Sequence, residues 1–142
     1  IKKSVPVEFF FSCHCYSRKL MQGETAPPGQ LIKEGSPSNP RNRVFDQIRY
    51  DLSKKLVSLL DDLIKTNGYV SKTRKHNFFR VTDAGTGTQY YIIMHAKKIS
   101  EPNRPKSLQV IVESAYPDDP TKRSPHPNGG RTFGQMLGEK WI

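Results

Sequence analysis

Two cysteines in 142 residues are too few to staple a fold. They are Cys13 and Cys15, on either side of His14. Same-face neighbours on a strand stand roughly 6.6 Å apart at a rise of ~3.3 Å per residue, long for a relaxed disulfide. Both are expected as buried free thiols, which suits a reducing cytosol. His76, His95 and His126 are scattered, without the spacing of a metal site, so neither metal nor cofactor is expected. No apolar run approaches the ~20 residues that span a bilayer, so no membrane partner is expected. There is no signal-peptide core, and a chain beginning at Ile1 reads as a mature product, a fragment or a trimmed terminus. Hydrophobic residues make up only 35%, so part of the chain should be loop. Acidic residues are also scarce: 13 against 23 Lys and Arg, a formal charge of +10. That balance disfavours a cationic partner and points to a polyanion, with RNA favoured over DNA. The length fits one domain over 1–142, large enough to hold a core without disulfides. There is no internal repeat.

What is present begins with Val5–Arg18, rich in aromatic and β-branched residues and therefore read as a strand. Alternation puts Val7, Phe9, Phe11, Cys13 and Cys15 on one apolar face. Glu8, Ser12, His14, Tyr16 and Arg18 share the other, with Phe10 intruding. Residues 19–41, dense in Gly, Pro and Ser, read as a long loop. Asn39-Pro40 resembles a helix start, and Phe45, Ile48, Leu52, Leu56, Leu59 and Leu63 form one stripe. A helix over 41–65 follows, stopped by Asn67-Gly68. Ser71–His76 is a short basic segment. Phe78–Thr82 and Thr88–Lys97 read as strands joined at Asp83–Gly87, and Lys106–Tyr116 as another, ended by Pro117. In that strand Ser114 and Tyr116 continue the face of Leu108, Val110 and Val112 if there is no bulge. Residues 117–130 form a second long loop, and Arg131–Trp141 a short strand or helical turn. The expected fold is α+β: a long helix packed on an antiparallel sheet of about four strands, with two long loops.

The residues allow phosphodiester chemistry without a metal: a base, an acid and cations to hold charge on phosphorus. Histidine serves either proton role. His14 and His95 are the two histidines inside expected strands. Ser12, His14, Tyr16 and Arg18 are expected to form one wall of an active cleft, with His95 or Tyr116 opposite. Arg18 and Arg80 are candidate phosphate clamps, and Tyr16 would orient the phosphate or stack on a base. Ser114 and Tyr116 form a plausible site edge, Tyr116 as proton donor or base-stacking ring. Lys72, Arg74, Lys75, Lys97 and Lys98 are the candidate nucleic-acid contacts.

The helix-before-meander order, the basic balance and the strands YYIIMHAKK and SLQVIVESAYP resemble the barnase–EndoU–colicin–RelE superfamily of small nucleases over about residues 42–137. The resemblance implies a metal-independent endoribonuclease, in the manner of bacterial toxins, with an inhibitor protein (antitoxin or immunity type) as a further partner. His95, Ser114 and Tyr116 then sit on strands like those lining such sites. The expected location is cytoplasmic, or a target cytoplasm after delivery. A non-catalytic basic RNA- or DNA-binding module fits the same charge and exposed tyrosines. A protein-interaction or phage-structural domain, with charge serving solubility, is a third reading.

Overall fold

A computed structural model describes residues 4–142. The strands are β1 (Val7–Phe11), β2 (Ser17–Lys19), β3 (Leu31–Ser36), β4 (Asn39–Phe45), β5 (Tyr69–Lys72), β6 (Asn77–Thr82), β7 (Gln89–Ile99), β8 (Ser107–Pro117) and β9 (Gly130–Thr132). The helices are α1 (Gln47–Ser53), α2 (Leu56–Thr66) and α3 (Phe133–Trp141), with a 3-10 turn at Cys13–Cys15. Six strands form one sheet in the order β1-β8-β7-β6-β5-β9, and β2-β4-β3 form a second. The larger sheet is mixed, because β1 runs parallel to β8, Val7 opposite Leu108 through Phe11 opposite Val112.

The expected architecture of one long helix on an antiparallel sheet of about four strands does not form. The supposed start of that helix is strand. Asn39–Phe45 pairs with β3 on one side and, from Arg43, with β2 on the other. Residues 19–41 are accordingly not one loop, because β3 and β4 form a hairpin across Pro37-Ser38. Asn39 donates its N–H to the Ser36 hydroxyl there rather than opening a helix. Asp46 is the N-cap, accepting from the Arg49 N–H. The helical stretch then breaks at Lys54-Lys55. Of the stripe, Leu56 and Leu63 are buried, but Ile48 is 65% exposed. Leu60, outside that stripe, is only 3% exposed. The inward face of α2 is Leu56, Leu60 and Leu63, at spacings of four and three residues. Asn67 ends the helix in a left-handed conformation (φ 47°), as the Asn67-Gly68 signal anticipated.

The strand read over Val5–Arg18 is also divided. Its first part joins the large sheet, the 3-10 turn intervenes, and Ser17–Lys19 joins the small one. Val7 and Phe9 pack half-buried against the core and Cys15 is buried in it from the 3-10 turn, but Phe11 is 44% exposed and Cys13, expected buried, is only half-buried. Phe9 stacks on Phe133, tying β1 to α3. On that side of the sheet Leu56, Leu60, Leu63, Phe133 and Met136 meet Val70, Phe79, Ile92, Met94, Val110 and Val112. Each such side chain contributes roughly 1.5–3 kcal/mol by leaving water. Thr132 and Gln135 form a capping box that starts α3. β9 reaches β5 only because residue 130 is Gly: a Cβ there would stand 2.6 Å from the Val70 carbonyl oxygen.

A bulge in β8 decides the other side. Ile93 pairs with Ser114 but Met94 with Val112, so Glu113 is extra. The bulge reverses the alternation, and Ala115 rather than Ser114 returns to the core. Ser114 and Tyr116 therefore leave the face of Leu108, Val110 and Val112. Tyr116 packs instead with Tyr91, Phe78 and Ile93.

Leu60→Ala should lower stability by about 2–5 kcal/mol through cavity formation. Ile48→Ala should stay within about 0.5 kcal/mol, as at exposed positions. Urea unfolding midpoints measure both, and equal losses would restore the single-helix stripe.

Candidate functional site

The chain reverses out of β1 at Ser12. Its N–H donates to the Val112 carbonyl, and its hydroxyl donates to the Glu113 carbonyl at 2.7 Å. The same hydroxyl accepts from the His14 N–H at 3.0 Å, capping the 3-10 turn. The turn is thus fastened to the β8 bulge. Ser17, fully buried, donates its hydroxyl to the Cys13 carbonyl at 2.6 Å.

Two guanidiniums meet on this segment. Arg43 donates from Nε to the Ser17 hydroxyl and from Nη2 to the Ser17 carbonyl, both at 2.8 Å. Arg49 donates from Nη1 to the Ser17 carbonyl at 2.8 Å and to the His14 carbonyl at 3.0 Å. It also lies over the Tyr116 ring, 5.5 Å from its centroid. Among the described residues neither arginine forms an ion pair with a carboxylate. Burial pulls both guanidiniums below their ordinary pKa, and for Arg49 the charge of Arg43 adds to this.

Both line an open cleft of about 480 Å³. Its walls are the turn, the start of α1, the end of β8 and residues 118–124. Arg18, Lys19, Arg43, Arg49, Lys122 and Arg123 outnumber Asp46, Asp118 and Asp119. The acids are engaged: Asp46 caps α1, Asp118 accepts from the Ser124 hydroxyl and Asp119 from Thr121. Those hydrogen bonds leave the carboxylates charged, so the positive excess is that of six cations over three acids, with Arg18 paired to Glu24, and it suits an anion.

Of the residues singled out from sequence, His14, Arg18, Ser114 and Tyr116 line this cleft together. Arg18 is committed elsewhere, because Glu24 accepts both of its terminal nitrogens. That bond holds the Glu24 carboxyl down at about 2. Tyr16 is exposed beside the lining without belonging to it. His95 is in a different place: Glu113 bridges it to His76, at 2.7 and 2.8 Å from the two Nδ1 atoms. Arg80 lies exposed on β6, outside the cleft. Lys72, Arg74, Lys75, Lys97 and Lys98 do not line it, and Lys98 donates to the Trp141 carbonyl.

Arg43, Arg49, Lys122, Arg123 and Glu34 are the residues that sequence reasoning missed. The two arginines were hidden by the false helix, on which they read as solvent-facing charge. Glu34 lies on β3, read as loop. It accepts from His14 Nε2 at 2.8 and 2.9 Å on its two oxygens, and from the Cys13 thiol at 3.5 Å. Burial works to raise the Glu34 carboxyl, but the His14 bond and charge, the thiol and Arg41 outweigh it and hold it low.

A family model described as the YjaZ family matches residues 1–139. The chain belongs to the YjaZ family. Comparison with curated proteins finds no match, and neither does comparison with solved structures. Among the described residues, no helix is long and apolar enough to cross a membrane.

A carboxyl held below its unfolded pKa stabilises the fold above that unfolded value, and the contribution disappears as pH falls through the folded one. Glu34→Gln should therefore be less stable than the wild type at pH 7. The gap should close on acidification below the ordinary carboxylate range. Paired urea titrations measure it, and a gap constant with pH would remove Glu34 ionisation from the stability of the turn.

Proposed function

We propose that the protein binds single-stranded nucleic acid, RNA foremost, with a backbone phosphate seated in the cleft against Arg43 and Arg49. The observation that carries this reading is the pair of arginines held without an ion-paired carboxylate. Two adjacent, largely buried guanidiniums repel one another and are costly to desolvate. They share one carbonyl and form no ion pair, Glu34 and Asp46 offsetting them only from a distance, so an incoming phosphate adds a direct countercharge through charge-assisted bonds. Lys122 and Arg123 lie along the same cleft for flanking phosphates. Tyr16 offers an exposed ring on which a base can stack. The +10 charge steers polyanions toward the surface.

Binding should weaken steeply with salt, by counterion release. Replacing Lys122 and Arg123 by Gln should flatten the log–log salt slope by about 1.4, from about 0.7 per phosphate contact on a single strand. These exposed loop residues can be changed without touching the Ser17 clamp. Fluorescence anisotropy with a labelled oligoribonucleotide and its DNA counterpart measures this. Affinity indifferent to salt would sink the reading.

A second reading, metal-independent endoribonuclease activity, is favoured by one observation: His14 lines the same cleft with its Nε2 held by Glu34. A base oriented by a carboxylate is a recurring device for proton transfer. Burial raises the Tyr116 phenol and keeps it protonated as a candidate acid. His14→Ala should then lower RNA cleavage by about 10²–10⁴-fold in the presence of chelator, without loss of RNA affinity. Intact RNA after long incubation with the wild-type protein would leave binding alone.

A further inference from the structure

We propose that Cys13, His14 and Glu34 form a site for one transition-metal ion of zinc type, open to the cleft on its fourth side. One donor atom from each residue lies within 4.8 Å of the others, and all three residues are half-buried. Bonds of ~2.0–2.3 Å in a tetrahedral zinc site place neighbouring ligand atoms roughly 3.3–3.7 Å apart. The Cys13 sulfur and Glu34 Oε2 already stand 3.5 Å apart. His14 Nε2 stands 2.9 Å from the same Oε2 and needs to move away by only a fraction of an ångström. The site is separate from the phosphate seat at Arg43 and Arg49, so it holds whether or not the cleft takes RNA; it shares His14 and Glu34 with the metal-independent nuclease reading and excludes that reading when loaded.

The ligands are braced by the backbone around them. Cys13 and His14 share the 3-10 turn that Ser12 caps. The Cys13 carbonyl is held by the Ser17 hydroxyl and the His14 carbonyl by Arg49. Glu34 comes from β3, brought across by pairing with Arg41 of β4. In the metal-free arrangement Glu34 accepts hydrogen bonds from both the thiol and the imidazole. A metal ion replaces those protons at the centre of the set: the thiol proton passes to solvent, and the His14 ring gives up the Nε2 proton and binds as the neutral Nδ1–H tautomer. Thiolate and carboxylate together balance a divalent charge, so the loaded site is neutral overall. Thiolate, imidazole and carboxylate suit zinc or cobalt, whereas magnesium and calcium prefer oxygen alone. Three protein ligands leave one position, and His14 is among the cleft-lining residues. A water or an anionic oxygen can occupy it.

The test is a titration of chelator-treated full-length protein with cobalt(II). One equivalent should produce the visible bands of tetrahedral cobalt and a thiolate charge-transfer band in the near ultraviolet, and zinc should displace both. Apparent affinity should rise with pH as the thiol proton becomes easier to release. Cys13→Ser should abolish the charge-transfer band and weaken affinity at least tenfold. Glu34→Gln should weaken affinity while retaining that band. Cys15→Ala and His76→Ala lie outside the set and should leave both intact. Circular dichroism verifies the fold of each variant. Absence of the bands in the wild type, or a charge-transfer band that survives Cys13→Ser, would overturn the site. RNA affinity measured with and without the ion keeps this outcome separate from that of the nucleic-acid reading.

Discussion

The Ser17 carbonyl accepts from two guanidiniums, and much of the molecule around the cleft depends on that meeting. Arg43 comes from β4 and Arg49 from α1, so one oxygen ties the small sheet, the first helix and the turn leaving β1. Desolvating two like charges is unfavourable, and carbonyl and hydroxyl dipoles offset only part of the cost. The remainder persists as a positive field at the cleft wall. Arg18, by contrast, is neutralised directly by Glu24.

The bulge at Glu113 works together with this clamp. The Ser12 hydroxyl donates to the carbonyl of the bulged residue, so the position of the turn is set by an irregularity in the neighbouring strand. The same irregularity rotates Ser114 and Tyr116 away from the core and brings Tyr116 under Arg49. It also sends the Glu113 carboxylate to His76 and His95, whereas His14 is held by Glu34. His14 and His95, the two histidines that the sequence offered for one reaction, thus have different carboxylate partners.

Composition and local pattern determined several things by themselves. The positive charge, β6, β7 and β8, the Asp83–Gly87 connection and the stop at Asn67 follow from β-propensity, charge counts and turn chemistry, all short-range quantities. So does the joint presence of His14, Ser114 and Tyr116 among candidate residues, because each lies in or beside a strand signal. Tertiary structure alone decided the rest. Asn39–Phe45 is strand because β2 and β3 supply partners for its backbone, a contribution that no periodicity of its own side chains reveals. The 3-10 turn interrupts an otherwise alternating run because Ser12 finds hydrogen-bond partners about a hundred residues away on β8. Arg43, Arg49 and Glu34 become site residues only when β3, β4 and α1 converge on that turn. Hydrogen bonds and charges act through space, and a linear sequence records only the groups that make them.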